Sequence, residues 1–200
     1  MDLRIAGRRA LVTGASGGIG RATAERLAEA GVTLTLTDLE QDDLAPVAEA
    51  LGATAVAADL STDASVGAFV DEVGTDFDIL VHAAGVTGAK GDPLTMSEED
   101  WDHAWNTDFM SAVRLARRLG PAMADRGWGR MVFVASENVA QPYPDETVYN
   151  VAKSGLVSFA KSVAMAHSGR GLLVNCVAPA FIETPMTDGT GVSSSVDNFT

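Results

Sequence analysis

Six short apolar runs alternate along this chain with longer amphipathic stretches, and this alternation constrains the fold more than any other feature. The apolar runs are residues 10–13, 33–37, 54–58, 79–83, 131–135 and 172–178. The amphipathic stretches are residues 19–30, 42–51, 63–73, 98–123 and 148–167. The runs read as continuous apolar segments more than as an in-out alternation, which suits strands covered on both faces. The alternation therefore predicts an α/β fold, a parallel sheet with helices on both sides and right-handed crossovers.

Length and charge limit the organisation and the partners. The chain has 200 residues, of which 46% are hydrophobic, and no linker or repeat divides it, so we expect one domain over residues 1–200. Asp and Glu outnumber Lys and Arg by 27 to 14, a net charge of -13. This charge repels phosphate backbones and anionic lipid, so nucleic acid and membranes are not expected partners.

The remaining composition points to a reducing compartment. A single cysteine, Cys176, excludes an internal disulfide framework and a cysteine-rich metal site. The three histidines are dispersed without metal-ligand spacing, so no metal site is expected. Because the sequence has neither a signal peptide nor a run of about 20 apolar residues, we expect a cytoplasmic protein. Residues 187–200 lack periodicity and are expected to be the mobile start of a loop.

A glycine-rich loop follows the first predicted strand and leads directly into the first predicted helix. It reads Thr13-Gly14-Ala15-Ser16-Gly17-Gly18-Ile19-Gly20. Such a loop lets a pyrophosphate approach the amides at a helix N-terminus, although a turn built only for close packing would read similarly. The lysine of a phosphate-binding P-loop is absent, which disfavours ATP or GTP hydrolysis.

Asp38 ends the second predicted strand, about where a dinucleotide fold places a carboxylate on the adenosine ribose. A turn or helix-cap aspartate is the alternative. Residues 37–49 contain no Lys or Arg, and Glu40, Asp42 and Asp43 add negative charge. A 2'-phosphate would be repelled there, which favours NAD over NADP. Arg21 is the nearby base that argues otherwise.

A serine, a tyrosine and a lysine follow the fifth predicted strand. Tyr149 and Lys153 are four residues apart, which places them on one face of a helix. Ser136 precedes Tyr149 by thirteen residues. The Tyr and Lys pair alone fits ordinary helix packing equally well.

Several motifs together, in this order and spacing, resemble the short-chain dehydrogenase/reductase family from about residue 8 to residue 186. They are Thr13-Gly14-x-x-x-Gly18-Ile19-Gly20, His82-Ala83-Ala84-Gly85, Asn106, Ser136, Tyr149-x-x-x-Lys153 and Pro179-Ala180-x-Ile182-x-Thr184. The resemblance implies a Rossmann-type, doubly wound parallel sheet in three α/β/α layers, with strand order 3-2-1-4-5-6.

The resemblance also implies catalytic roles. Tyr149 would be the general acid/base at the substrate oxygen, and Ser136 would polarise that oxygen. An ammonium such as Lys153 about 4 Å from the phenol is worth on the order of 4 kcal/mol at an effective dielectric of 20, enough to lower a pKa by about three units. Lys153 would also bind the nicotinamide ribose. Asn106 resembles the residue that holds a water beneath the lysine.

The implied cofactor contacts run from the glycine loop to the last motif. They are Gly14, Ser16, Gly18, Ile19, Gly20, Asp38, Leu39, Asp59, Leu60, Ala83, Ala84, Gly85, Tyr149, Lys153, Pro179, Ile182 and Thr184. Ile182 and Thr184 would hold the carboxamide of the nicotinamide. Asp59 and Leu60 would contact adenine, with a helix-capping role as the alternative for Asp59.

The chain departs from the family pattern at several positions. His82 stands in place of the usual Asn, and Ala180 in place of a glycine. Glu137 follows Ser136 where a small residue is common. Glu137 and Ala180 are therefore candidate substrate contacts, with a surface carboxylate as the alternative reading of Glu137. Family members continue with a substrate-covering loop, a helix and a seventh strand, so we expect this chain to be C-terminally short.

The sequence therefore predicts an NAD(H)-dependent oxidoreductase that interconverts a small secondary alcohol and a ketone, with NADP less favoured, as a homo-oligomer (dimer or tetramer). A 3-oxoacyl thioester reductase of the same family is one alternative, and an extended epimerase or dehydratase fits less well. A nucleotide-binding protein impaired in catalysis, for lack of a C-terminal substrate region, is the alternative from another class.

Overall fold

The computed structural model of the chain describes residues 3–182 and residue 184. Its strands are β1 Arg9–Thr13, β2 Thr33–Thr37, β3 Thr54–Ala55, β4 Ile79–His82, β5 Gly129–Val134 and β6 Leu172–Val177. They form one sheet in the order β3-β2-β1-β4-β5-β6, and each neighbouring pair is parallel. The predicted fold class and strand order are confirmed. The expected mobile segment, 187–200, lies outside the described residues, and the single domain stays a prediction.

Six α-helices connect these strands within the described part of the chain. They are α1 Gly18–Glu29, α2 Gln41–Leu51, α3 Asp63–Val73, α4 Glu98–Ala104, α5 Ser111–Asp125 and α6 Thr147–His167. A π-helical turn, Trp105–Met110, joins α4 to α5. The stretch predicted as one helix over 98–123 is therefore a helix with a wider turn in its middle. Such turns are often found at functional sites.

Alternate residues of the central strands divide between two apolar cores, one on each face of the sheet. Leu11 and Leu80 point towards α3, α5 and α6, where they pack with Phe133 and other large side chains. Val12 and Val81 point towards α1 and α2. Burying a side chain of this size contributes roughly 1.5–3 kcal/mol, so both helical layers are held by continuous apolar contact.

Strand β3 is shorter than the predicted run of 54–58. Ladder pairing ends at Ala55, although the amides of Val56 and Ala58 still donate to the carbonyls of Leu36 and Asp38 at 3.0 and 2.9 Å. The backbone therefore continues alongside β2 beyond the last ladder pair.

The carboxyl ends of β1 and β4 meet where the strand order reverses, and this point positions the site. In open α/β sheets, ligands bind in the crevice outside such a reversal. The glycine-rich loop, residues 14–17, leaves β1 at this edge, and residues 83–85 leave β4 beside it. In the described residues, no helix is both long and apolar enough to cross a membrane.

Candidate active site

The glycine-rich loop is packed against the segment that follows β4. Gly14 has a φ of +64°, and a Cβ placed on it would lie 2.7 Å from the backbone nitrogen of Ala84. Thr13 fixes this approach, because its Oγ1 accepts hydrogen bonds from the amides of Ala83 at 3.2 Å and Ala84 at 3.0 Å. A side chain at Gly20 would overlap the carbonyl of Gly14. The loop therefore requires glycine at these positions.

The N-terminus of α1 faces the same crevice. Gly17 precedes the helix, and its lack of a side chain means that no side-chain oxygen caps the first turn. Uncapped amides with a favourable helix dipole can bind a phosphate. A Cβ on Gly18 would lie 2.5 Å from Cγ2 of Thr184, so Thr184 closes over this loop. Thr184, the last of the predicted cofactor contacts, thus lies against the glycine-rich loop.

Asp38 is joined to the glycine loop by its carboxylate. Its Oδ2 accepts hydrogen bonds from the amide and the hydroxyl of Ser16, at 2.9 and 2.5 Å, and its Oδ1 accepts from the amide of Leu39 at 2.8 Å. The carboxylate therefore lies at the edge of the glycine-rich loop. The side chain of Leu39 is largely exposed to solvent.

A cavity of about 120 Å³ opens at the carboxyl ends of the strands. The residues that line it are Ile19, Ala83, Gly85, Val134, Ala135, Ser136, Tyr149, Lys153, Pro179, Ala180, Ile182 and Thr184. Ten of these twelve are predicted site residues; Val134 and Ala135 are the others. Three of the four predicted catalytic side chains thus share one cavity with predicted nicotinamide contacts.

Tyr149 and Lys153 lie on consecutive turns of α6. The Lys153 side chain is buried, with its Nζ 5.4 Å from the centre of the Tyr149 ring and donating to the carbonyl oxygen of Val134 at 3.1 Å. Burial lowers the pKa of Lys153, an effect that the nearby carboxylate of Asp108 opposes.

The pKa of Tyr149 differs from the expectation. Burial raises it above its ordinary value, and the carboxylates of Asp108 and Glu146 add to this, while a hydrogen bond from Ser136 would lower it. Burial therefore outweighs the lowering of this pKa that is expected from Lys153, because removing the phenolate from water costs more than the neighbouring charge returns.

Asn106 is not brought to this group, contrary to the prediction. Its Nδ2 donates to the carbonyl of Asp102 at 2.8 Å, and its Oδ1 accepts from Arg114 at 2.6 Å. Asn106 lies on the π-helical turn, and residues two apart on a helix point in different directions. The polar residue of this turn that faces Lys153 is instead Asp108.

Asp108 is a site residue that the motif comparison missed. It has no exposed surface, and its Oδ1 accepts a hydrogen bond from the amide of Val86 at 2.6 Å. A Cβ placed on Gly85 would lie 2.8 Å from this Oδ1 and 3.1 Å from Nζ of Lys153, so the carboxylate and the ammonium converge on one glycine. Oδ2 is buried without a hydrogen-bond partner among the described residues, and burial raises the pKa of Asp108.

A sequence signal for Asp108 did exist. Ala104, Asp108, Ala112 and Leu115 recur at helical spacing, and all are buried. A carboxylate on this apolar stripe is unusual because a buried charge is costly unless it is paired or functional.

His82, which replaces the usual Asn, lies under the site at the end of β4. Its ring is buried, with Nε2 hydrogen-bonded to Oγ of Ser111 at 2.8 Å. Burial lowers the pKa of His82 to about 3, and the charge on Lys153 contributes to this. His82 is therefore neutral at physiological pH and cannot act as a cationic group there.

The other predicted contacts do not line the cavity. Leu60 is buried in the core, and the exposed Asp59 accepts a hydrogen bond from the amide of Ser61 at 2.8 Å. The carboxylate of Glu137 accepts a hydrogen bond from Tyr143 Oη at 3.1 Å, which turns it towards the surface loop. No three His, Cys, Asp or Glu residues in the described ranges form a group that could hold a metal ion.

Comparison with known proteins agrees with this geometry. Residues 8–192 match the family model described as short chain dehydrogenase. The chain is 38% identical to Nodulation protein G of Rhizobium sp. (strain N33), over 92% of this chain and 77% of that protein. It is 36% identical to the 3-oxoacyl-(acyl-carrier-protein) reductase FabG of Escherichia coli (strain K12), over 90% of this chain and 76% of that protein.

A solved structure gives the same result. The L-sorbose reductase of Gluconobacter frateurii, complexed with NADPH and L-sorbose, has a TM-score of 0.86 and 35% identity, over 96% of this chain and 80% of that one. The sequence similarity and the structural similarity to these proteins each extend over at least 90% of this chain. The chain belongs to the short-chain dehydrogenase family.

Proposed function

We propose that the protein is an NAD(H)-dependent oxidoreductase that interconverts a small secondary alcohol and a ketone, with Tyr149 as the general acid/base. One observation carries the proposal: Ser136, Tyr149 and Lys153 line the same cavity as Gly85 and Thr184. The phenol of Tyr149, the hydroxyl of Ser136 and the ammonium of Lys153 thus lie beside the residues that would hold a nicotinamide.

The residues of the crevice fit a nicotinamide dinucleotide. Gly14 and Gly18 leave no room for a side chain beside Ala84 and Thr184, and the uncapped first turn of α1 suits a pyrophosphate. Asp38 would accept hydrogen bonds from the adenosine ribose, and Lys153 would bind the nicotinamide ribose. When bound, this cofactor supplies or accepts the hydride.

The proton moves through Tyr149. Its raised pKa keeps the phenol protonated at neutral pH, so it can give its proton to a carbonyl oxygen during reduction. In the oxidation direction Tyr149 must first lose that proton, and then takes the one on the substrate hydroxyl. The ammonium of Lys153 stabilises the phenolate in both directions by its charge. Ser136 would donate a hydrogen bond to the same substrate oxygen.

The preference for NAD rests on charge. The carboxylate of Asp38 lies against Ser16, and no Lys or Arg occurs between residues 37 and 49. A 2'-phosphate at the same ribose would face this carboxylate without a countercharge from that segment. The L-sorbose reductase was solved with NADPH, so the cofactor preference needs its own measurement.

A 3-oxoacyl thioester reductase is the second candidate, and the similarity to FabG favours it. Both reactions use the same hydride and proton transfers, so the machinery described above serves either. They differ in the substrate and in the cofactor, since Asp38 disfavours a phosphorylated dinucleotide. The homo-oligomeric state and the cytoplasmic location remain predictions.

The proposal is tested with a panel of substrates followed by NADH absorbance. Secondary alcohols are supplied with NAD, and ketones and 3-oxoacyl thioesters with NADH and, separately, NADPH. Turnover of an alcohol and its ketone with the unphosphorylated cofactor supports the proposal. Turnover of thioesters alone favours the second candidate. If no substrate reacts although NADH binds, the protein is a nucleotide-binding protein and the proposed function is wrong.

A further inference from the structure

A chain of buried side-chain amides lies behind Ser136. The side chain of Asn138 is hydrogen-bonded to Ser136 Oγ at 2.9 Å and to Asn150 at 2.8 Å. Asn150 is in turn bonded to the backbone carbonyl of Tyr143 at 2.8 Å. Ser136, Asn138 and Asn150 are each at most 7% exposed, so water does not compete freely for these bonds.

The end of this chain fixes the direction of every bond in it. A backbone carbonyl only accepts, so the atom of Asn150 that meets Tyr143 is the donor Nδ2. Oδ1 of Asn150 therefore faces Asn138 and accepts from its Nδ2. Oδ1 of Asn138 is then left for Ser136, whose hydroxyl must donate to it.

A second anchor gives Asn138 the same orientation. Its Nδ2 also donates to Oε2 of Glu146 at 2.8 Å, and a carboxylate cannot donate. Oε1 of Glu146 is paired with the ammonium of Lys90 at 2.5 Å. Two independent acceptors thus hold the amide of Asn138 in one orientation.

We propose that Asn138 is a positioning residue that holds the hydroxyl proton of Ser136 away from Tyr149 until a substrate oxygen enters the cavity, and that Asn150 and Glu146 fix Asn138 for this task. The proposal rests on the proposed function, in which Ser136 and Tyr149 share the reacting oxygen. The backbone N–H of Asn138 also donates to Oγ of Ser136, at 3.2 Å. One lone pair of Oγ remains for the cavity, so without substrate Ser136 can accept a hydrogen bond there.

The direction in which the Ser136 hydroxyl points decides whether it raises or lowers the pKa of Tyr149. A Ser136 hydroxyl that donated to the phenolate would lower the pKa of Tyr149. With its proton committed to Asn138, Ser136 instead accepts from the neutral phenol and stabilises that form. Asn138 therefore keeps Tyr149 protonated, which suits delivery of a proton to a carbonyl oxygen.

The charged groups around Tyr149 come from several elements. Lys153 lies on the same helix, and its ammonium favours the phenolate. Asp108 on the π-helical turn and Glu146 before α6 both favour the phenol. His82 on β4 is neutral at the pH of the experiment because its pKa is about 3. The test must therefore separate the effect of the Ser136 proton from a displacement of Glu146.

The test titrates Tyr149 directly, without substrate or cofactor. The chain has two tyrosines, so Tyr143→Phe leaves Tyr149 as the only phenol and keeps the backbone carbonyl that Asn150 needs. Phenolate absorbance is followed against pH in this background. Asn138→Leu, close in size but without polar atoms, frees the Ser136 proton and is expected to lower the pKa of Tyr149 by about one unit, the size of one hydrogen bond to a charged group. Asn138→Ala is expected to act in the same direction.

Two matched variants show whether Ser136 carries the effect. Asn138→Asp keeps an acceptor for the Ser136 hydroxyl and is expected not to lower the pKa of Tyr149. With Ser136→Ala also present, Asn138→Leu is expected to have little effect, because no proton is left to redirect. An unchanged or raised pKa in both Asn138→Leu and Asn138→Ala overturns the proposal, as does an equal fall with Ser136→Ala. The outcome is independent of turnover, so failure of the proposed function would be seen separately.

Discussion

The ammonium of Lys153 lies 5.4 Å from the centre of the Tyr149 ring, one helical turn along α6. Replacing it by the apolar Lys153→Met removes the charge that stabilises the phenolate. We expect turnover to fall by about 10²-fold or more, the usual contribution of a positioned proton-transfer group. Steady-state rates in both directions check this.

The same variant should keep its stability. Burial lowers the pKa of Lys153, so the ammonium is less stable in the folded protein than in the unfolded chain. Removing this charge at neutral pH should therefore not lower the free energy of unfolding. Lys161→Met, at an exposed position of α6, is the control and should affect neither quantity. A large loss of thermal stability in Lys153→Met would contradict this reading, because it would make Lys153 a structural residue.

The charge of Asp38 is expected to set the cofactor preference. Asp38→Asn removes the carboxylate at the ribose, so the affinity for NADPH relative to NADH should rise by about tenfold, the equivalent of about 1.4 kcal/mol. Fluorescence titrations with both cofactors measure the ratio. Asp71→Asn, at an exposed position of α3, is the matched control. An unchanged ratio in Asp38→Asn, or tighter binding of NADPH by the wild type, would remove Asp38 from this role.

Gly14 and Gly52 offer a matched pair for the glycine loop. Their φ values are +64° and +60°, but only at Gly14 would a Cβ meet other backbone atoms. Gly52→Ala should cost about 1 kcal/mol for the left-handed conformation. Gly14→Ala should cost about 1–3 kcal/mol more for overpacking against Ala84, and should also weaken cofactor binding. Denaturant unfolding measures both, and equal costs would contradict the packing argument.

Asp108 is expected to lower stability at neutral pH. Its folded-state pKa is raised above the unfolded value of about 3.9, so its protonated form stabilises the fold, and this contribution is lost as pH rises through the folded pKa. Asp108→Asn should therefore raise the free energy of unfolding by about 1 kcal/mol at pH 7. The difference from wild type should vanish below about pH 4, where the wild-type carboxyl is protonated in both states. Unfolding curves at several pH values check this, and a less stable variant at pH 7 would contradict it.

The sequence predicted the sheet well because the predicted runs consist mainly of apolar and β-branched residues and have the length of a strand. The bounds of β2, Thr33–Thr37, agree with the prediction, whereas β3 ends after Ala55. The residues beyond Ala55 remain apolar, so periodicity could not reveal where ladder pairing stops. The end of β3 is set by its pairing with β2 in the folded sheet, which the sequence pattern does not show.

Site residues could be predicted where a motif fixes the spacing between two residues along the chain. They could not be predicted where packing decides the direction in which a side chain points. Tyr149 and Lys153 share a cavity because a helix puts residues four apart on one face. Asn106 was chosen by type, but the π-helical turn directs it to Arg114 and gives the place beside Lys153 to Asp108. The raised pKa of Tyr149 depends on burial, which no motif encodes.

The most direct test of the central claim compares two tyrosine variants with the first alcohol or ketone that the substrate panel finds. Tyr149→Phe removes the only phenol that lines the described cavity, whereas Tyr143→Phe removes a hydroxyl that donates to Glu137 outside it. NADH absorbance should show Tyr149→Phe reduced by at least about 10²-fold in turnover with NADH binding nearly intact, and Tyr143→Phe close to wild type. Undiminished turnover in Tyr149→Phe would contradict the assignment of Tyr149 as the general acid/base.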